Sequence, residues 1–62
     1  MTIKHREWQI EIPKHLGVSY GLQDGEEVDT YIILLLIEQL LTETRNEYAR
    51  VDILQTLINS LS

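Results

Sequence analysis

Positions 7–12, Glu-Trp-Gln-Ile-Glu-Ile, alternate between polar and apolar, so Trp8, Ile10 and Ile12 share one side and Glu7, Gln9 and Glu11 the other. A period of two is the mark of a half-buried β-strand. Pro13, the only proline in the chain, ends that strand or confines it to an edge, because it has no amide hydrogen for a ladder. Gly17 and Gly21 follow, and each glycine costs about 1 kcal/mol in a helix interior. A loop or a short helical turn is therefore expected there. Asp24-Gly25 is a turn signal, and Asp24, Glu26, Glu27 and Asp29 put negative charge where a helix N-terminus welcomes it.

From Val28 to Leu61 there is no glycine or proline, and Leu, Ile, Glu, Gln and Arg dominate, so helix is the favoured state. On a helical wheel Ile37, Leu40, Leu41, Tyr48 and Val51 share one side, while Ile53, Leu54, Leu57, Ile58 and Leu61 centre on a side rotated by roughly 120°. A stripe that jumps predicts a break. The polar run Thr42–Glu47 suits a turn, so a helical hairpin is expected, bent between Thr42 and Asp52. Asp52 is a candidate cap of the second helix, and Glu47 with Arg50 adds a weak i, i+3 pair. The run Tyr31–Ile37, "YIILLLI", is apolar on every side, and such a helix must be covered all round. Two helices of one short chain do not suffice, which predicts a homodimer or larger oligomer. The expected interface residues are Val28, Tyr31, Ile32, Leu35, Leu36, Leu40, Leu54, Leu57, Ile58 and Leu61. The competing reading makes Val28–Leu35 a buried strand, since Val, Thr, Tyr and Ile favour strands.

The chain has 62 residues, room for one small domain that buries about 60% of its unfolded surface. We divide it into a strand-and-turn head, residues 1–25, and a mostly helical oligomerisation half, residues 26–62. The sequence contains no cysteine, so disulfides and thiolate zinc sites are out of reach and a partner chain is the remaining support. "MTIKHREWQ" has no apolar core of the kind a signal peptide needs, and the apolar run is too short to span a bilayer. A cytoplasmic protein without membrane contact is expected. The net charge of −5 is uneven: Lys4, Arg6 and Lys14 outnumber Glu7 and Glu11 in the head, whereas the rest sets eight acids against Arg45 and Arg50. An acidic body repels nucleic acid, so a phosphate contact has to come from the head.

Candidate chemistry is sparse. His5 and His15 have no acid at helical metal-ligand spacing, the serines lack a strand-turn-helix elbow, and no glycine-rich phosphate loop is present. Glu26 and Glu27 are adjacent and do not face each other, as paired carboxylates must. No catalytic residue, metal or cofactor is expected, and binding is favoured over catalysis.

The stretch "QIEIPKHLGVSYGLQDGEEV", Gln9–Val28, resembles the signature of the AbrB/MazE swapped-hairpin family of small dimeric bacterial DNA-binding proteins. Ile10, Ile12, Pro13, Lys14, Leu16, Gly21, Leu22, Gly25, Glu26 and Val28 take matching places without a gap, over about a third of the chain. "KHREW" before it is similar to the basic residues and Trp of the antitoxin branch. The resemblance implies a strand ended by proline, a short helix and a glycine turn into a further strand. It also implies that Lys4, Arg6 and Lys14 contact DNA, with His5 and His15 as helpers. The alternative for these cations is a solvated guard on an edge strand. The chain departs from the family at Gly17, where an arginine stands in the short helix, and at "DTYIILLLIEQLL", which reads as helix in place of a second strand pair.

Two other readings compete. A ribbon-helix-helix repressor shares the order strand, helix, helix, but its strand reads DNA with outward residues, and here those are Glu7, Gln9 and Glu11, whose carboxylates are repelled. The reading from another class is an acidic, non-enzymatic adaptor, assembly factor or inhibitor that docks on a larger protein. The sequence thus predicts an α+β chain, short N-terminal strands followed by a helical hairpin, assembled as a homodimer or larger. It acts as a DNA-binding regulator or antitoxin, or as an adaptor without DNA.

Overall fold

A computed structural model describes residues 1–43 and 50–62. Strand β1, Thr2–His5, and strand β2, Trp8–Glu11, form an antiparallel hairpin in which Ile3 faces Ile10 and His5 faces Trp8. The ladder extends to Met1 and Ile12, which exchange both backbone bonds, at 2.9 and 2.8 Å. Ile10 and Ile12 are buried, as the alternation predicts, and Ile3 on the neighbouring strand is buried with them. Trp8 differs: it lies beside the hairpin turn and stays 40% exposed. The turn is Arg6-Glu7, with Arg6 at φ 57°, a left-handed conformation that costs a residue with a Cβ about 1–2 kcal/mol.

Beyond Pro13, helix α1 spans Lys14–Ser19 and buries Leu16. Gly17 lies inside it, where a Cβ would collide with the Met1 sulfur. Close approach of the Met1 side chain therefore accounts for a residue that weakens the helix. α1 ends in a paired closure: Leu22 N–H donates to Gly17 O at 2.8 Å and Gly21 N–H to Val18 O at 3.1 Å, with Gly21 at φ 68°. This is the Schellman arrangement, which needs a left-handed residue at Gly21. Gly25, at φ 82°, takes the third place of the turn Gln23–Glu26, the place that demands positive φ in a type II turn.

Strand β3, Glu26–Glu27, pairs parallel to β1, giving a three-stranded sheet in the order β2-β1-β3. The acidic run that charge alone places ahead of a helix thus supplies an edge strand as well, following the Gly25 turn where the family resemblance implied a further strand. Val28 is buried after it, and helix α2 runs from Thr30 to Thr42, so Val28–Leu35 is not a strand. Asp29 caps α2 by accepting the Ile32 amide at 3.1 Å. Helix α3 spans Val51–Asn59. The helix ends at Thr42 and resumes at Val51, within the expected interval; residues 44–49, including Glu47 of the expected Glu47–Arg50 pair, lie outside the described residues. Asp52 does not cap α3: Arg50 holds the cap position without a side-chain bond, and Asp52 lies in the first turn, 3.6 Å from Arg50 Nε.

One apolar cluster joins the inner sheet face to the helices through Ile3, Ile10, Leu16, Ile33, Leu36 and Leu57 among others. Burying those side chains stabilises the fold by roughly 1.5–3 kcal/mol each. The outer sheet face carries Lys4, Gln9, Glu11 and Glu27, all exposed. The fold is α+β, with the strands and the short α1 first and the longer helices α2 and α3 after. Val28, Leu36, Leu40 and Leu57, expected between subunits, are buried in the core of their own chain. The cover comes from the strands, α1 and α3 of the same chain, which share one cluster with these residues and which a helical wheel alone does not foresee. Ile32, Leu35, Leu54 and Leu61 are half-buried, and Tyr31 and Ile58 are exposed.

Candidate interaction surfaces

The cations and histidines of the head go to different places. His5 follows Ile3 at strand spacing and turns inward, where it is only 3% exposed. Its Nδ1 lies 3.1 Å from Ser60 Oγ and its Nε2 3.3 Å from Thr30 Oγ1. Ser60 spends its one hydroxyl hydrogen on Leu57 O at 2.7 Å, so it accepts from His5, which assigns the hydrogen to Nδ1 and leaves Nε2 to accept from Thr30. The ring thereby ties β1 to the start of α2 and the end of α3, which fixes the two helices as antiparallel. Arg6 goes to the same end: Nη1 donates to the carbonyls of Ser60 at 3.3 Å and Ser62 at 3.2 Å. A cation there satisfies orphan carbonyls and complements the negative end of the α3 dipole.

Lys4 lies on the outer sheet face, opposite Gln9 on one side and Glu27 on the other. Lys14 is exposed at the start of α1, and His15 Nε2 lies 3.2 Å from Glu43 Oε2. The expected DNA-contacting set is thus spread over the open sheet face, the end of α3 and the start of α1. Hydrogen bonds from Gln39 and then His15 hold the Glu43 carboxyl below its ordinary value. The Thr2 hydroxyl and then the terminal ammonium do the same for Glu11. Among the described residues no three His, Cys, Asp or Glu side chains form a metal-binding group.

Two surfaces remain open. The first is apolar and belongs to the helix layer. Tyr31, Leu34 and Leu41, which share a helical face with Glu38, are 66, 51 and 54% exposed on α2, and on α3 Val51 and Ile58 are exposed too. Leu34, Leu41 and Val51 were not expected at an interface; for Leu34 the signal was the all-round apolarity of Tyr31–Ile37, which does not say which side the rest of the chain covers. The second surface is a groove of about 540 Å³ between β2 and α3, lined by Gln9, Glu11, Pro13, Arg50, Ile53 and Thr56 among others. β2 is an edge strand. Bonded pairs alternate along an antiparallel ladder, and Met1–Ile12 is such a pair, so the amides and carbonyls of Gln9 and Glu11 point away from β1 toward this groove. The alternation Ile3-Lys4-His5 carries a signal for an inward His5 that the sequence reading did not use, and nothing local names its partners; the groove carries no such signal, because it joins residues some 40 positions apart.

Comparisons with protein-family models, with curated proteins and with solved structures find no match. Among the described residues no helix is long and apolar enough to cross a membrane.

Proposed function

We propose that this protein is a non-catalytic interaction module that docks a larger protein onto its helix layer. One observation carries the reading: Tyr31, Leu34 and Leu41 along one face of α2, and Val51 and Ile58 on α3, lie open to solvent in a small chain of net charge −5. Exposed apolar surface with a polar surround is the ordinary form of a docking site. Glu38 and Asp52 on the same helices favour a partner with an apolar centre and a basic rim, which acidic charge attracts from a distance. The DNA-binding regulator reading rests on Lys4, Arg6 and Lys14; to reach a phosphate, Arg6 has to leave the end of α3, and Lys4 stands among carboxylates.

The test pairs two assays. Labelled duplex DNA is titrated at low and high salt, and cell extract is passed over immobilised protein, comparing wild type with Leu34→Asp/Ile58→Asp and with Lys4→Glu/Lys14→Glu. The expected result is no salt-dependent DNA binding, and a captured partner that the first variant loses and the second keeps. DNA affinity that falls steeply with salt and is lost in Lys4→Glu/Lys14→Glu overturns the reading in favour of a regulator.

A further inference from the structure

We propose that the free edge of β2 pairs antiparallel with β2 of a second copy about a twofold axis at Ile10, each copy seating Trp8 in the groove of the other. The inference rests on the backbone edge of β2 and on Trp8, not on the exposed apolar residues Leu34 and Ile58 of the docking face. Its basis is the self-complementarity of the edge. A twofold at Ile10 sets Gln9 opposite the partner's Glu11 and Glu11 opposite the partner's Gln9. These are the residues whose amides and carbonyls point outward from the β1 ladder, so each pair exchanges both backbone bonds. On the outer face the Glu11 carboxylate then meets the partner's Gln9 amide and never the partner's Glu11, the pairing that like charge disfavours. Pro13 falls opposite the partner's Glu7, the next position of the bonded set; having no amide hydrogen, and facing a residue of the hairpin turn, it ends the shared ladder there and confines the bonding to the Gln9–Glu11 pairs.

The inner face of the same register is complementary as well. Trp8 comes beside the partner's Ile12, at the level where Pro13, Ile53 and Arg50 line the groove. Trp8 is 40% exposed within its own chain although its strand neighbours Ile10 and Ile12 are buried at 1 and 3%. The second copy completes its burial, and Arg50, with a side chain 66% exposed, is placed to lie over the indole face. The product is a continuous sheet of six strands, twice the observed three, with all helices on one side. An edge strand guarded by charge and proline is normally protected from pairing; here the guards fall where this one register tolerates them.

The chain has a single tryptophan, so association reports on itself. Solution mass and Trp8 emission are followed together over a dilution series for wild type, Gln9→Pro, Trp8→Ser and Leu34→Asp/Ile58→Asp, with far-ultraviolet dichroism to show that each is folded. Gln9→Pro removes an amide that β1 does not use, and Trp8→Ser empties the groove without touching the ladder. The expected result is a wild-type dimer whose emission shifts to the red on dilution. Both edge variants associate roughly tenfold more weakly or worse, the effect of about 1.4 kcal/mol at an interface, while the helix-face variant stays dimeric. A wild type that is monomeric throughout overturns the proposal. So does a dimer that survives both edge variants, or one that only the helix-face variant dissociates.

Discussion

Arg6 shows how a residue can hold two roles that its type does not announce. Its backbone takes a left-handed turn at φ 57°, a cost that glycine does not bear, and its guanidinium binds the carbonyls that end α3. Arg6→Ala keeps the backbone cost and loses the bonds, so urea denaturation should show a loss of about 1 kcal/mol. Arg6→Gly loses the same bonds but relieves the backbone, and should fall closer to wild type. Gly21 and Gly25 follow the opposite logic: neither has an atom near the place of a Cβ, yet both have positive φ. Alanine at either position should cost about 1–2 kcal/mol by the same denaturation measurement. At this scale the sequence was legible wherever a residue's own backbone preference decided the outcome, as at Pro13, Gly21 and Gly25. It was not legible at His5 and Arg6, whose partners Ser60 and Ser62 lie more than 50 positions away.

At the scale of elements, the helices are governed by local rules whose failures are informative. Asp29 caps α2 with a side-chain bond to Ile32 N–H, whereas Asp52 makes no cap bond to α3. Asp29→Ala should therefore cost about 1 kcal/mol, and Asp52→Ala should stay within about 0.5 kcal/mol of wild type, the usual range for a surface substitution away from such a feature. Thermal melts of the two variants side by side check the contrast. Packing divides α2 in the same way: Leu36→Ala removes a fully buried side chain and should cost about 2–5 kcal/mol, while Leu34→Ala, at a position 51% exposed, should cost far less. Strand β2 and both long helices were readable from periodicity and from the lack of glycine and proline after Val28. Strand β3 was not readable that way, because Glu26–Glu27 has no strand propensity of its own and is paired only because the turn at Gly25 delivers it to β1; only the family resemblance implied a strand there.

Across the whole molecule, acid is expected to weaken the fold through Glu11 and Glu43. Both carboxyls are held below their ordinary value of 4.5 by hydrogen bonds that favour the charged form. The unfolded chain, with the higher values, takes up protons first as pH falls. The stability these groups contribute is therefore complete well above 4.5 and is lost as pH drops through and below it. Urea midpoints measured across that range should fall toward acid, and more gently in Glu43→Gln than in wild type. The sequence by itself determined the strand that ends at Pro13, the glycine turns, the two helices and the break between them, because each follows from preferences acting over a few residues. It also determined the acidic charge. Tertiary structure alone decided which side of α2 the rest of the chain covers, leaving Leu34 and Leu41 open while Leu36 and Leu40 are sealed. It alone drew Arg6 to the end of α3 and set the edge of β2 beside a groove with that helix. Those outcomes depend on segments far apart in the chain meeting in one register, and no local preference carries that information.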